Sequence, residues 1–263
     1  MSPRSRERPP VDQRAELAAV GASFGVDIEQ VRRDHLISHI LAAIASAVPS
    51  DDVVFFGGTA LSRTHLIAGR LSEDIDLIAL APRGEVAQRI ELAVARGLAR
   101  SHGRPTWRPS LTATSGSEPA VLSVPAGIGV QVQLLSGDGY SWPTEVVDLE
   151  QRYSDAPPAR MRTLTAAGFA AAKLSAWIDR RAPRDLFDLW ALSASGMITP
   201  DALDVFVRLG PFGRPPPDWV FDEVPTDPQW RRALAHQTIL TVGPQQAADA
   251  VRRAWRTASD GLG

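Results

Sequence analysis

Residues 57–77 read GGTALSRTHLIAGRLSEDIDL, directly behind the apolar run VVFF at 53–56. A short, continuous apolar run of this kind fits a buried strand. Gly57 and Gly58 let the backbone approach a phosphate without interference from a Cβ. Thr59 brings a hydroxyl to the start of a helix predicted over 60–68, where free N–H groups attract an anion. Asp74 and Asp76 are i and i+2 on a strand placed near 75–80, so both carboxylates leave one face. Paired carboxylates suit Mg²⁺, which takes hard oxygen ligands and keeps substrate phosphates in its shell. The stretch therefore reads as a device for holding a nucleoside triphosphate against Mg²⁺, with Mn²⁺ as the alternative ion. An isolated Asp-x-Asp would say little; its fixed distance from Gly-Gly-Thr carries the reading.

A glycine turn followed by Asp-x-Asp resembles the signature of DNA polymerase β-like nucleotidyltransferases. The fuller string, GGTAL and then RLSEDIDL, resembles the AbiEii/AbiGii toxin family within that superfamily, whose MenT-like members are the best known. The likeness extends to RRDHLISHILAAI at 32–44 and AAKLSAWIDRRAPRDLFDL at 171–189. The resemblance implies an α+β chain with two domains. A polymerase β-like nucleotidyltransferase domain (a small mixed sheet with flanking helices) would span 1–155. A C-terminal helical domain, 156–263, would complete the cleft. It further implies transfer of a nucleotide from an NTP to an acceptor, the 3′ end of tRNA, with arrest of growth. A cognate antitoxin is the implied partner.

Composition adds limits. The 263 residues carry a net charge of −2, so any polyanion must be met by a local basic patch. With no cysteine there is neither a disulfide nor a thiolate metal site. No apolar segment is long enough to span a bilayer, and MSPRSRERPP has no apolar run behind its charges, so a cytoplasmic protein is expected. Of 28 cationic side chains, 27 are arginine and one, Lys173, is lysine. A lysine kept alone in an arginine-biased chain suggests a place for a compact point charge rather than a planar fork; chance is the competing explanation.

Along the chain, 1–11 reads as disordered. Asp27 caps a helix with apolar residues from Ile28 to Val48 at three- and four-residue spacing. A second amphipathic helix is expected over 85–100, a loop over 103–119, and a strand pair over 121–124 and 128–135. Residues 154–162 read as a linker. Thr165 caps a helix running to about 181, and Pro183 opens the next. The last helical stretch covers about 227–258, interrupted near Gly243-Pro244.

The candidate catalytic residues are Asp74, Asp76, Lys173 and Asp185, with Asp74 and Asp76 as the metal ligands. The nucleotide-binding candidates are Gly57, Gly58, Thr59, Arg70, Ser72 and Asp188. Several have plainer readings. Thr59 could only cap its helix. Arg70 could bind phosphate or pair with Glu73 or Asp74. Lys173 could face the cleft or snorkel off the core. Asp185 could orient or deprotonate an acceptor hydroxyl, or merely complement a helix N-terminus. Asp188 could pair with Arg184. His35 and His39, an i,i+4 pair with no acid completing a site there, read as structural. The strand GIGVQVQLL offers Gln131 and Gln133 where many polymerase β-like enzymes have a third acid; Asp148 is one candidate replacement. The arginines available to RNA are Arg160, Arg162, Arg180, Arg181, Arg231, Arg232, Arg252 and Arg253. Two other functional classes fit the same residues: a nucleotidyltransferase acting on an antibiotic or a protein side chain, and a non-catalytic module with a relic site.

Overall fold

The computed structural model describes residues 12–260; the expectation of disorder over 1–11 lies outside them. The elements in chain order begin with α1 (Gln13–Phe24), α2 (Ile28–Ala47), β1 (Val53–Phe56), α3 (Gly57–Thr64) and β2 (Asp74–Ala79). Then come α4 (Arg83–Gly97), β3 (Thr106–Trp107), β4 (Ala120–Ser123), β5 (Gly129–Ser136), β6 (Thr144–Asp148) and β7 (Arg160–Leu164). Five helices follow: α5 (Ala166–Arg180), α6 (Pro183–Ala194), α7 (Pro200–Leu209), α8 (Asp227–Leu234) and α9 (Pro244–Asp260).

The seven strands form one mixed sheet in the order β3-β4-β5-β2-β1-β7-β6. The apolar run 53–56 is indeed a central strand, antiparallel to β2 on one side and parallel to β7 on the other. β2 in turn runs parallel to β5. Its burial follows from its place: Val53, Val54 and Phe55 are all within 1% of full burial.

Asp27 caps α2 as the sequence predicts, accepting from the Gln30 amide at 2.9 Å. The helix is more deeply buried than a one-sided apolar stripe implies. From Gln30 to Ile44 every residue except Arg32 and Arg33 is buried, polar Asp34, His35, Ser38 and His39 included. Asp34, His35 and Ser38 have hydrogen-bond partners, as burial requires; Asp34, for instance, meets Arg63 at 2.7 Å and the Tyr153 hydroxyl at 3.0 Å.

Three expectations need correcting. The helix after the glycine turn starts at Gly57 itself and stops at Thr64. Residues 154–162 are not a free linker, and the sheet does not end at 155. β7 lies between β1 and β6, its alternating RMRTL pattern turning Met161 and Thr163 inward. A strand that pairs parallel to one a hundred residues earlier leaves no local sequence signal. The final helical stretch breaks over residues 235–243, wider than the Gly243-Pro244 pair. One continuous apolar core joins sheet and helices, from Phe55 and Ile75 to Trp177, Leu186 and Trp255.

Candidate active site

The site grows from the turn between β1 and α3. Gly57 has φ +80°, a backbone that a side chain disfavours, and a Cβ there would overlap the Asp76 carboxylate. At Gly58 a Cβ would stand 2.6 Å from Arg70 Nη2 and 3.0 Å from Ser72 Oγ. Both glycines are therefore required by close approach. Gly57→Ala is expected to lose about 1–2 kcal/mol from the backbone alone and to displace Asp76; a thermal melt identical to wild type would contradict this.

Thr59 is almost fully buried, and its hydroxyl donates to the Asp74 carbonyl. It therefore caps nothing: Phe56 occupies the cap position of α3 with no side-chain bond. Instead it clamps the turn to β2 and fixes the two acids relative to the glycines. The acids themselves are half-buried on one face of β2. Burial, then the charge of Asp74, pushes the Asp76 carboxyl up to about 6. Burial also raises Asp74, with Arg184 opposing it. Two crowded, partly dehydrated carboxylates of raised affinity for protons form a hard-oxygen set that a divalent cation would relieve, so the residues present fit Mg²⁺. Parallel register places Gln131 beside Asp74 and Gln133 beside Asp76. Asp148, the candidate third acid, is on edge strand β6, exposed and paired with Arg160 at 3.2 Å; it does not reach the pair.

Across from the acids, α5 and α6 supply cations. Lys173, Arg180 and Arg184 all act electrostatically on Asp76. Lys173 is buried on α5, and its Nζ lies 2.7 Å from Asp188 Oδ2 and 3.2 Å from Asp185 Oδ1. Asp185 also accepts from Arg180 at 2.7 and 2.9 Å. Burial works to raise the Asp185 carboxyl, but Lys173 and Arg180 outweigh it and hold it below its ordinary value. A fully buried, doubly paired carboxylate of that kind is a poor proton acceptor, so its geometry favours the orienting role over the deprotonating one.

Asp188 does not pair with Arg184. Arg70 grips it bidentately at 2.8 and 2.9 Å, and Gln237 holds the third corner of that guanidinium at 2.7 Å. Arg70 and Lys173 overcome burial and keep Asp188 at about 2. Arg70 thus pairs with neither Glu73 nor Asp74; Glu73 meets Arg33 at 3.1 Å instead. The structure brings Arg70 and Ser72 against Gly58 and links Arg70 through Asp188 to Lys173 and Asp185. Gln237 was missed by sequence reading, and a lone glutamine between helices leaves no motif to find it by.

The arginines sort differently from expectation. Arg160, Arg162 and Arg252 are tied to Asp148, Asp51 and Asp222. Arg181 ends α5, stacks over Trp177 at 5.1 Å and donates to the Val220 carbonyl. Among the described residues, Arg184, Arg231, Arg232 and Arg253 have no recorded ion pair. Arg232 lines a concavity of about 460 Å³ with Pro183, Trp177 and Arg181, next to the start of α6. A groove of about 340 Å³ beside Asp74 is lined by Arg33, Glu73 and Gln131.

Comparison with known proteins agrees with this architecture. No curated protein matches the chain significantly. Among solved structures, MenT4, a nucleotidyltransferase toxin from Mycobacterium tuberculosis H37Rv, superposes with a TM-score of 0.67 at 19% identity, over 94% of this chain and 89% of that one. A candidate nucleotidyltransferase from H. pylori gives 0.55 at 14% identity, over 90% and 97%. At such identities the likeness establishes the fold. The family model described as Nucleotidyl transferase AbiEii toxin, Type IV TA system, matches residues 39–257. That span holds the glycine turn, both acids of β2 and the α5–α6 cations, and this protein therefore belongs to the AbiEii nucleotidyl transferase toxin family.

Proposed function

We propose that this chain transfers a nucleotide from an NTP to the 3′ end of tRNA, with Mg²⁺ held by Asp74 and Asp76. One observation carries the reading: two carboxylates stand together at the glycine turn, facing the cations of α5 and α6. Asp74 and Asp76 would hold Mg²⁺, which would supply Lewis-acid polarisation of the reacting phosphate. The N-terminus of α3, opened by Gly57 and Gly58, turns free backbone N–H groups toward the phosphates. Arg184 meets charge developing on the phosphates. Lys173 contributes to that field while holding Asp185 and Asp188. Those two acids, with Arg70, position the turn and the cations. The family is one of toxin–antitoxin systems, so an antitoxin is the expected partner. No helix among the described residues is long and apolar enough to cross a membrane, and the cytoplasm, where tRNA is found, is the proposed compartment.

The direct test is incubation of the protein with Mg²⁺, each labelled nucleotide in turn, and total tRNA. Label on tRNA that disappears with EDTA is expected. Label on a small molecule or a protein, with tRNA untouched, would replace the acceptor; no label anywhere would favour the relic-site reading. Transfer should decline as pH falls through about 6, where Asp76 takes a proton that competes with the metal. Raising Mg²⁺ tenfold should move that midpoint downward, and an unmoved midpoint would assign it to another group.

tRNA use should also fall steeply with salt. Since Arg180 and Arg181 are engaged within the protein, charge reversal at Arg231 and Arg232 is the sharper probe. That double variant should weaken tRNA use at least about tenfold while NTP affinity holds. Equal losses in both would place these arginines elsewhere in the mechanism.

A further inference from the structure

His35 and His39 on α2 meet His102 and Asp155, which are distant in sequence. His35 Nδ1 lies 3.1 Å from His102 Nε2. One ring nitrogen from each of His35, His39 and His102 lies within 4.8 Å of the others. On the opposite edge of the His35 ring, Nε2 is 3.0 and 3.1 Å from the two oxygens of Asp155. His39 Nε2 is buried without a hydrogen-bond partner, 3.5 Å from Asp155 Oδ2. A buried nitrogen with only a long contact to a carboxylate, beside two other imidazoles, is under-satisfied unless something binds there. Asp155 and His102 come from distant loops, so the sequence offers no local sign of this cluster.

We infer that His35, His39 and His102 form a binding site for a divalent first-row transition ion of the zinc type, with Asp155 orienting His35. Neutral imidazole suits Zn²⁺ and its neighbours in the series and does not suit Mg²⁺. Bonds of about 2.0–2.1 Å to a tetrahedral ion put ligand nitrogens about 3.3 Å apart. The His35–His102 separation of 3.1 Å is close to that value, and the nitrogen of the third ring lies within 4.8 Å of both. Asp155 accepting from the far nitrogen of His35 fixes the tautomer that presents Nδ1 to the ion, the usual carboxylate–histidine–metal arrangement. Burial and the neighbouring rings depress proton affinity at His39 and His102, leaving lone pairs available. His102 is half-exposed and Asp155 exposed by 39%, so the ion has access from solvent.

The site would staple three segments: α2, the turn after α4, and the loop between β6 and β7 that also binds α1 through Gln13 and Asp155 at 3.0 Å. It is independent of the nucleotide site. Arg33, which lines the groove beside Asp74, precedes His35 by two residues, or about 200° around the helix.

The test titrates Zn²⁺, and separately Co²⁺, into the metal-stripped full chain against a chromophoric chelator. One ion per chain is expected, with the visible bands of tetrahedral Co²⁺ and a melting temperature that rises with Zn²⁺. His102→Gln and Asp155→Asn sit on turns and should fold. His102→Gln should weaken binding at least about 100-fold, and Asp155→Asn about 10- to 100-fold. The double variant Asp74→Asn/Asp76→Asn should bind Zn²⁺ with unchanged stoichiometry and affinity. Absence of stoichiometric binding in the wild type, or full binding by His102→Gln, would overturn the proposal. So would loss of the ion in the Asp74/Asp76 variant, which would assign it to the nucleotide site.

Discussion

Asp76→Asn is expected to abolish nucleotide transfer and, in the same protein, to raise the melting temperature of the metal-free form at neutral pH. The first effect follows from losing one of two anionic ligands to an ion that supplies several kcal/mol of transition-state stabilisation, so at least about a thousandfold loss of rate should result. The second follows from the carboxyl's position. In the folded state it titrates near 6, against an ordinary value of 3.8. A folded value above the unfolded one means the fold disfavours the charged form. That cost is present in full above about pH 6, shrinks as pH falls toward 3.8, and is absent below it. Two units correspond to about 3 kcal/mol, and solvent at this half-buried residue reduces the gain to about 1–3 kcal/mol. Melts in EDTA at pH 7.5 and pH 4 separate the cases: full stabilisation at the first, a small remnant of it at the second. Near-normal transfer by Asp76→Asn would remove the metal assignment, whereas a uniform loss of stability at both pH values would show that the carboxylate is a structural partner.

Lys173→Met should be the most destabilising single change around the site. It leaves a hydrophobic chain of similar length against two buried carboxylates, Asp185 and Asp188, that lie 3.2 and 2.7 Å from the missing ammonium. Removing one partner from a buried ionic cluster costs about 3–5 kcal/mol. Here Arg180 and Arg70 still hold the two acids, which places the expected loss at the lower end of that range. Denaturant melts at pH 7.5 measure it. In an Asp188→Asn background the same substitution should cost less, because one orphaned charge is gone. Lys173→Arg keeps the charge but forces a planar fork into a space shaped for a point charge; about a hundredfold loss of transfer is expected, with the fold retained. A loss under about 1 kcal/mol for Lys173→Met would mean that the ammonium does little to hold the cluster. Full activity in Lys173→Arg would make the solitary lysine an accident of composition.

Lys173 also shows how far the sequence could be read. Its isolation among 27 arginines singled it out, and the burial of its ammonium between two acids supplies a physical reason that an arginine would not serve. The sequence alone determined the features that depend on neighbours a few residues apart. The buried strand 53–56, the glycine turn, the shared face of Asp74 and Asp76, the Asp27 and Thr165 caps and the family itself were all legible, because strand alternation, helix period and cap chemistry act over short distances. What the tertiary structure decided are pairings between distant segments. Arg70 meets Asp188 across 118 residues and Gln237 across 167, while Asp155 reaches His35 across 120. β7 enters the sheet beside β1 from beyond the expected linker. An ionisable side chain's partner is chosen by which groups burial leaves without water. That choice set Asp185 against Lys173 and Arg180 and made a cluster of His35, His39 and His102, since burial is a property of the packed chain and not of any stretch of it.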